Sequence, residues 1–470
     1  MRALYLFLAV LVAAPSAMAQ WVYQADFPAN ASVITSSNHG IAVDGQGKVW
    51  IQSLSPVTRD SVSVDPSVVA NSTAANCNQR TNKCRVTVIY VLNPDGTNVS
   101  FSPLNIVTLP GGVRDTLGGA VGRTSTGLRA WDFNSGRGLD SDYAGNVFAT
   151  IGANTFVYKF NSQTGAVMDF VRTSQIDARG GTAPSVDRAG NMYISGVFPN
   201  DPIAIYDANL DYTGNVVARD RGFNRDVLAF PDGNTVIALN YSNKVSTIYQ
   251  RRDEFSSYDS TRAAFTGMAI ESATFHPTTG NIWASAGSPN DLPTGSYAPG
   301  RRYTANTWYE FTTAQVLTNA SPVPRDSIKY DRPTDGRPRA IDFSLDGRTA
   351  YVGVFSQTTA GRGSVQRFLN TSIVAAEPGA IEGAANLSQN QPNPFTGATE
   401  IAYSLDRAAY TRLRVLDLTG REVATLVNGQ QAAGDHRATF TPNGLAAGVY
   451  VYMLEVDGRA ATRRMLHVRR

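Results

Sequence analysis

The sequence predicts an all-β protein: a β-propeller of six blades, with seven as the alternative count, followed by a small Ig-like β-sandwich. Three observations carry that prediction. A strand, a tight turn closed by glycine and a second strand recur six times, at residues 40–53, 138–151, 183–196, 226–240, 272–286 and 340–354. Each hairpin is followed by a third strand of similar character, at residues 86–93, 156–161, 203–209, 245–250, 307–313 and 364–370. After Thr371 the composition changes, and six further segments alternate apolar and polar residues. Hairpins repeated at a fixed period mark a propeller, because one blade alone cannot bury both of its faces.

The chain reads in order as follows. Arg2, an apolar run from Leu4 to Ala14 and Ala17-Met18-Ala19 form a signal peptide over residues 1–19, too short in its apolar run to span a membrane comfortably. No later segment approaches spanning length. The propeller is expected over residues 20–371. Its turn glycines Gly145, Gly190, Gly233 and Gly280 stand 45, 43 and 47 residues apart, which is blade spacing. Trp50, Phe148, Tyr193 and Trp283 each fall three residues after a turn glycine and are expected to pack between blades. Gly47 and Gly145 are 98 residues apart, enough for an eroded seventh blade or for one blade with insertions. The strand around Trp21 pairs with the last blade and closes the ring, leaving no exposed edge. Residues 372–388, rich in Ala, Gly and Glu, read as a linker. Residues 389–470 hold the sandwich, in which Ile401, Tyr403 and Leu405, and later Tyr450, Tyr452, Leu454 and Val456, supply one apolar face.

Bulk properties narrow the function. A formal charge of +3 over 470 residues gives no global field for nucleic acid. Export makes Cys77 and Cys84, the two cysteines, a disulfide closing a small polar loop. Strand parity puts three long segments on one face: residues 54–85 and 287–306 between second and third strands, and 104–137 between blades. Long loops on a rigid scaffold commonly bind. Arg114, Arg123, Arg129, Trp131 and Asp132 in the inter-blade segment are the candidate ligand-binding residues.

Catalytic signals are sparse. His39 precedes Gly40 at a strand entrance, where the channel mouth is one expected position for it but no partner is located, and His276 lies in a hairpin turn. No G-x-S-x-G or H-E-x-x-H occurs, so no catalytic residue is assigned and the reading leans away from an enzyme. Asp140, Asp142 and Asn146, and Asp207, Asn209 and Asp211, raise calcium as a cofactor, but no full loop motif is present. Such turns commonly use Asp and Asn to bond their own backbone.

Two resemblances follow. The hairpins resemble those of NHL and lactonase-like propellers, a likeness to a superfold that implies little about function. The C-terminal run is more specific: Asn390-Gln391-Pro392-Asn393-Pro394-Phe395, then Val415-x-Asp417-x-x-Gly420-Arg421, then Gly448-Val449-Tyr450. It resembles the type A C-terminal sorting domain of the type IX (Por) secretion system, with His467 where an apolar residue is usual. The resemblance implies handling by the type IX machinery, passage across both membranes, and a cell-surface or extracellular location. The expected function is a displayed or secreted module for a protein or glycan ligand. A lactonase-like metal-dependent hydrolase and a structural envelope component are the alternatives.

Overall fold

The computed structural model describes residues 21–468 except 30–37, 55–60, 64–76, 79, 86, 118–135, 152–155, 174–179, 243, 286–302, 305, 332–336, 356–362, 371–379, 382–384, 417–421, 446–447 and 457–458. The segment read as a signal peptide lies outside the described residues.

Strand β1 (Trp21–Asp26) precedes blade 1, which is β2 (Asn38–Val43), β3 (Val49–Ser53) and β7 (Ile89–Leu92). Between β3 and β7, the short strands β4 (Ser61–Ser63), β5 (Cys77–Asn78) and β6 (Lys83–Arg85) form a sheet of their own. The hairpin β8 (Ile106–Thr108) and β9 (Arg114–Thr116) leads into blade 2: β10 (Gly136–Ser141), β11 (Val147–Ile151), β12 (Phe156–Phe160) and β13 (Val167–Arg172). Blade 3 is β14 (Ser185–Val186), β15 (Met192–Ser195), β16 (Ile203–Tyr206) and β17 (Tyr212–Val217). Blade 4 is β18 (Asn224–Ala229), β19 (Thr235–Asn240), β20 (Ser246–Gln250) and β21 (Asp259–Ala264). Blade 5 is β22 (Ala273–Phe275), β23 (Ile282–Ser285), β24 (Thr307–Phe311) and β25 (Asp326–Lys329), with the short helix α1 (Thr313–Thr318) before its last strand. Blade 6 is β26 (Arg337–Phe343), β27 (Thr349–Phe355), β28 (Val365–Asn370) and, outermost, β1.

Each inner strand touches the next, from β2 through β10, β14, β18 and β22 to β26, and β26 touches β2 again. The ring therefore closes with six blades. The excess length between Gly47 and Gly145 belongs to the β4–β6 sheet and the β8–β9 hairpin, and no seventh blade intervenes. Closure uses the N-terminal strand, with Trp21 opposite Asn370 and Asp26 opposite Gln366. Blade 1 lacks a regular fourth strand, and isolated bridges from Leu92 to Asn98 and from Ile89 to Leu104 stand in its place.

The aromatics expected between blades are there. Trp50 meets Phe160 of blade 2 at 5.8 Å, and Trp283 meets Phe343 of blade 6 at 5.5 Å. Phe148 packs with Met192 and Ile194 of blade 3, and Tyr193 with Val236 and Ala238 of blade 4. Burying such a side chain contributes about 1.5–3 kcal/mol, so these seams are where the ring is held. The aspartates that open the turns serve their own backbone: Asp44 accepts from the N–H groups of Gln46 and Lys48, and Asp142 from those of Ala144 and Asn146. Asp207 accepts in the same way from Asn209 and Asp211. These turns have the backbone-bonding geometry that Asp commonly adopts there.

The C-terminal part is two four-stranded sheets. One is β29 (Ala380–Ile381), β30 (Ala385–Leu387), β31 (Thr399–Leu405) and β34 (Gly434–Phe440). The other is β32 (Ala409–Leu416), β33 (Glu422–Gln431), β35 (Gly448–Val456) and β36 (Arg459–His467). Ile401, Tyr403, Leu405, Tyr450, Tyr452, Leu454 and Val456 share one core, as their alternation requires. The linker reading of residues 372–388 needs correction, because β29 and β30 lie inside it. Leu387 is fully buried in this core, and its single apolar side chain gave too short a pattern to read as a strand.

Candidate functional site

The inner strands begin on the face where the long segments emerge. The amide of Gly136, at the end of the inter-blade segment, donates to the carbonyl of Leu54, where the cysteine-containing segment starts, at 3.1 Å. Strand parity thus brings the two together as expected. On the same face four inner strands carry a β-bulge, and the extra residues are His39, Arg137, Arg225 and Arg339. A bulge adds one residue opposite the partner strand and re-aims its side chain. The corresponding positions of blades 5 and 3 are Glu271 and Thr182.

The residue after each bulged position is small or short. Gly40 and Gly138 are required by contact: a Cβ on Gly40 would lie 2.8 Å from the Leu139 nitrogen, and one on Gly138 would lie 2.3 Å from the Ala183 Cβ. Inner strands can approach this closely only without that atom. The Gln52 side chain, reaching from blade 1, accepts from the Gly138 amide at 2.8 Å and so fixes the backbone beside Arg137.

His39, Arg137, Arg225, Glu271 and Arg339 line one axial cavity of about 950 Å³. Glu271 is its electrostatic centre. Its carboxylate pairs with Arg339, stands 3.7 Å from Arg225 Nε and lies 3.8 Å from Arg337 Nη1. Arg225 also donates to the Tyr241 hydroxyl at 3.1 Å and lies over the Tyr241 ring at 4.3 Å. Arg337 and Arg339 both face the Phe355 ring, at 5.1 and 5.3 Å. Arg137 is pushed down to about 10, first by loss of solvent and then by the nearby Arg225 charge. His39 is held well below the ordinary imidazole range, by burial first and then by Arg339, Arg137 and Arg225. It is neutral at pH 7.

Along the inner strands, three carboxylates join neighbouring blades. Asp140 accepts from the amides of Ser141 and Val186, Asp226 from Val227 and Ala273, and Asp342 from Phe343 and Val43. Burial raises all three, Asp140 to about 8 and Asp342 to about 7, while Asp226 stands well above the ordinary range. A carboxyl raised in the folded state stabilises fully below its unfolded value, near 4, and loses that contribution as pH rises through its folded value. His39 and His276 are lowered and act oppositely, but only below about pH 6.5. Above that range the carboxyls act alone. Thermal stability is therefore expected to fall from pH 6.5 to 8.5, and Asp140→Asn is expected to flatten the decline even if it lowers stability overall. A flat profile in calorimetry would refute this account.

Of the residues singled out in the sequence, Arg114 lies exposed on β9, away from the cavity lining. Arg123, Arg129, Trp131 and Asp132 lie outside the described residues. His39 is at the mouth, whereas His276 bonds the Gly347 carbonyl at 3.0 Å and ties the turns of blades 5 and 6. The sequence reading missed Arg137, Arg225, Glu271, Arg337 and Arg339. A signal existed: aligning the six repeats puts a titratable residue before a small or short one at His39-Gly40, Arg137-Gly138, Arg225-Asp226, Glu271-Ser272 and Arg339-Ala340. Among the described residues, no three His, Cys, Asp or Glu side chains gather as a metal would require.

In the sorting motif, Phe395 is buried against Phe440 at 6.0 Å and His467 at 5.3 Å, and its carbonyl accepts from the Val468 amide. His467 is itself buried, so it fills the apolar position of the tail by packing. Tyr450 is buried, Asn393-Pro394 precedes Phe395 as a cis peptide, and Gly448 opens β35 opposite His467. Gly420 and Arg421 lie outside the described residues.

Residues 391–468 match the family model of the secretion system C-terminal sorting domain. No curated protein matches the chain. Similar solved structures include a fungal alcohol oxidase of the AA5 family in complex with copper, at 10% identity and TM-score 0.46, covering 96% of this chain and 100% of the other. A luciferin-regenerating enzyme is similar at 8% identity and TM-score 0.44, covering 75% and 96%. Regucalcin, a calcium-binding protein from Agrobacterium tumefaciens, is similar at 10% identity and TM-score 0.40, covering 75% and 93%. These likenesses carry no functional argument at such scores. The sorting domain does: it marks an exported protein, destined for the cell surface or the extracellular space through type IX secretion. No helix among the described residues is long and apolar enough to cross a membrane.

Proposed function

We propose that the propeller is a binding module delivered outside the cell, with residues 1–19 as signal peptide, and that its ligand enters the axial cavity at the bulged mouth. The convergence of His39, Arg137, Arg225, Glu271 and Arg339 from five blades supports this reading most. A purely structural scaffold has no need for three buried or half-buried arginines on one carboxylate with a fourth, Arg137, in the same cavity. Metal-dependent hydrolysis would need a donor set that the described residues do not gather. Screening the exported protein against glycans and surface proteins is expected to yield a ligand whose affinity falls at least tenfold in Arg225→Ala. Phe255→Ser should leave it unchanged, since Phe255 is exposed on the turn between β20 and β21, at the opposite face. Equal loss in both variants, or no ligand at all, would remove the proposal.

Cys77 and Cys84 are partners in the backbone register of β5 and β6. We propose that they are bonded in the exported protein, anchoring the excursion beside the mouth. Peptide mapping without reductant should recover the two cysteines as one linked species; recovery as free thiols would refute the bond.

A further inference from the structure

The mouth carries an unbalanced charge. Arg225, Arg337 and Arg339 converge on Glu271 and Arg137 lines the same cavity, so four positive charges meet one negative and the sum is about +3 with His39 neutral. Glu271 is engaged by Arg225, Arg337 and Arg339. Arg137 sits apart from it, and its Nε is buried without a hydrogen-bond partner among the described residues. Arg137 is half-buried and, among the described residues, paired with no carboxylate, and an oxyanion is its natural complement, since the planar fork matches two oxygens.

His39 adds a second requirement. It is 7% exposed, lines the same cavity, and its Nδ1 has no partner. A neutral imidazole carries its proton on one ring nitrogen and accepts on the other, so in the tautomer protonated at Nε2 the buried Nδ1 is an acceptor. The complement of such an acceptor is a hydroxyl, not a second oxyanion. The arginines repel a proton from this ring and so preserve the acceptor.

We infer that the mouth binds an acidic saccharide, its oxyanion on Arg137 and a neighbouring hydroxyl donating to His39 Nδ1. This rests on the binding-module reading above and names its ligand class. The oxyanion is a uronate carboxylate or a sulfate ester, which share the charge and differ in shape.

Calorimetric titration of the full exported chain with three trisaccharides tests it: a glucuronate oligomer, its sulfate-ester counterpart with neutral rings, and the uncharged glucose oligomer. One acidic probe is expected to bind at least tenfold more tightly than the neutral one, and the stronger of the two identifies the oxyanion. Arg137→Gln should reduce that binding at least tenfold without lowering the melting temperature, because it removes a desolvated like charge. Arg137→Lys should restore part of it. His39→Phe should weaken the acidic sugar but not simple acetate or sulfate, which carry no hydroxyl. Equal binding of the neutral oligomer, or an Arg137→Gln variant that binds unchanged, would overturn the inference and leave the binding module standing. Absence of binding by any probe, together with failure of the wider screen, would overturn both.

Discussion

Deleting residues 380–470 is expected to leave a folded propeller that never leaves the periplasm. The deletion starts at 380 because β29 and β30 complete a sandwich sheet, and a cut at residue 386 would leave part of that sheet behind. The sandwich core is formed entirely by residues from Ala385 onward, and the propeller ring closes through β1 and β28 without it. Each part thus has its own apolar core, which is what independent folding requires. The effect on location should be all or nothing, because the sorting domain is the address. Cell fractionation with circular dichroism of the retained protein reads both halves. Truncated protein at normal levels outside the cell would sink the first half, and an unfolded product would sink the second.

Glu271→Ala is expected to cost about 3–5 kcal/mol, the range seen when one partner of a buried ion pair is removed. Its side chain is fully buried, and Arg225, Arg337 and Arg339 all converge on it. Without it the mouth holds like charges with no neutraliser in a desolvated site. Pairing the change with Arg339→Met should recover much of the loss, since that removes the guanidinium bonded to Glu271 and leaves an apolar side chain in its place. Urea unfolding of the single and double variants measures this directly. A single variant that loses less than about 1 kcal/mol would show that solvent already screens the cluster.

Strand periodicity, turn glycines and the sorting motif are local properties, and each was legible residue by residue. Alternation at Ile401, Tyr403 and Leu405 places those side chains on one face of a strand wherever it lies. The aromatics that follow four of the turn glycines, Trp50, Phe148, Tyr193 and Trp283, must be buried, and the seam between blades is what a propeller offers. Even the shared face of the long segments follows from counting antiparallel strands. The channel mouth is different. Arg137 and Arg225 are 88 residues apart and meet only because the ring closes, and each points inward only because a bulge shifts its strand by one residue. Nothing in the residues around Arg137 encodes which five side chains it will face. Charge, burial and the neutral state of His39 are sums over several blades, so tertiary structure alone decided them. The chain wrote the repeats and the address locally, while the site is a property of their closure.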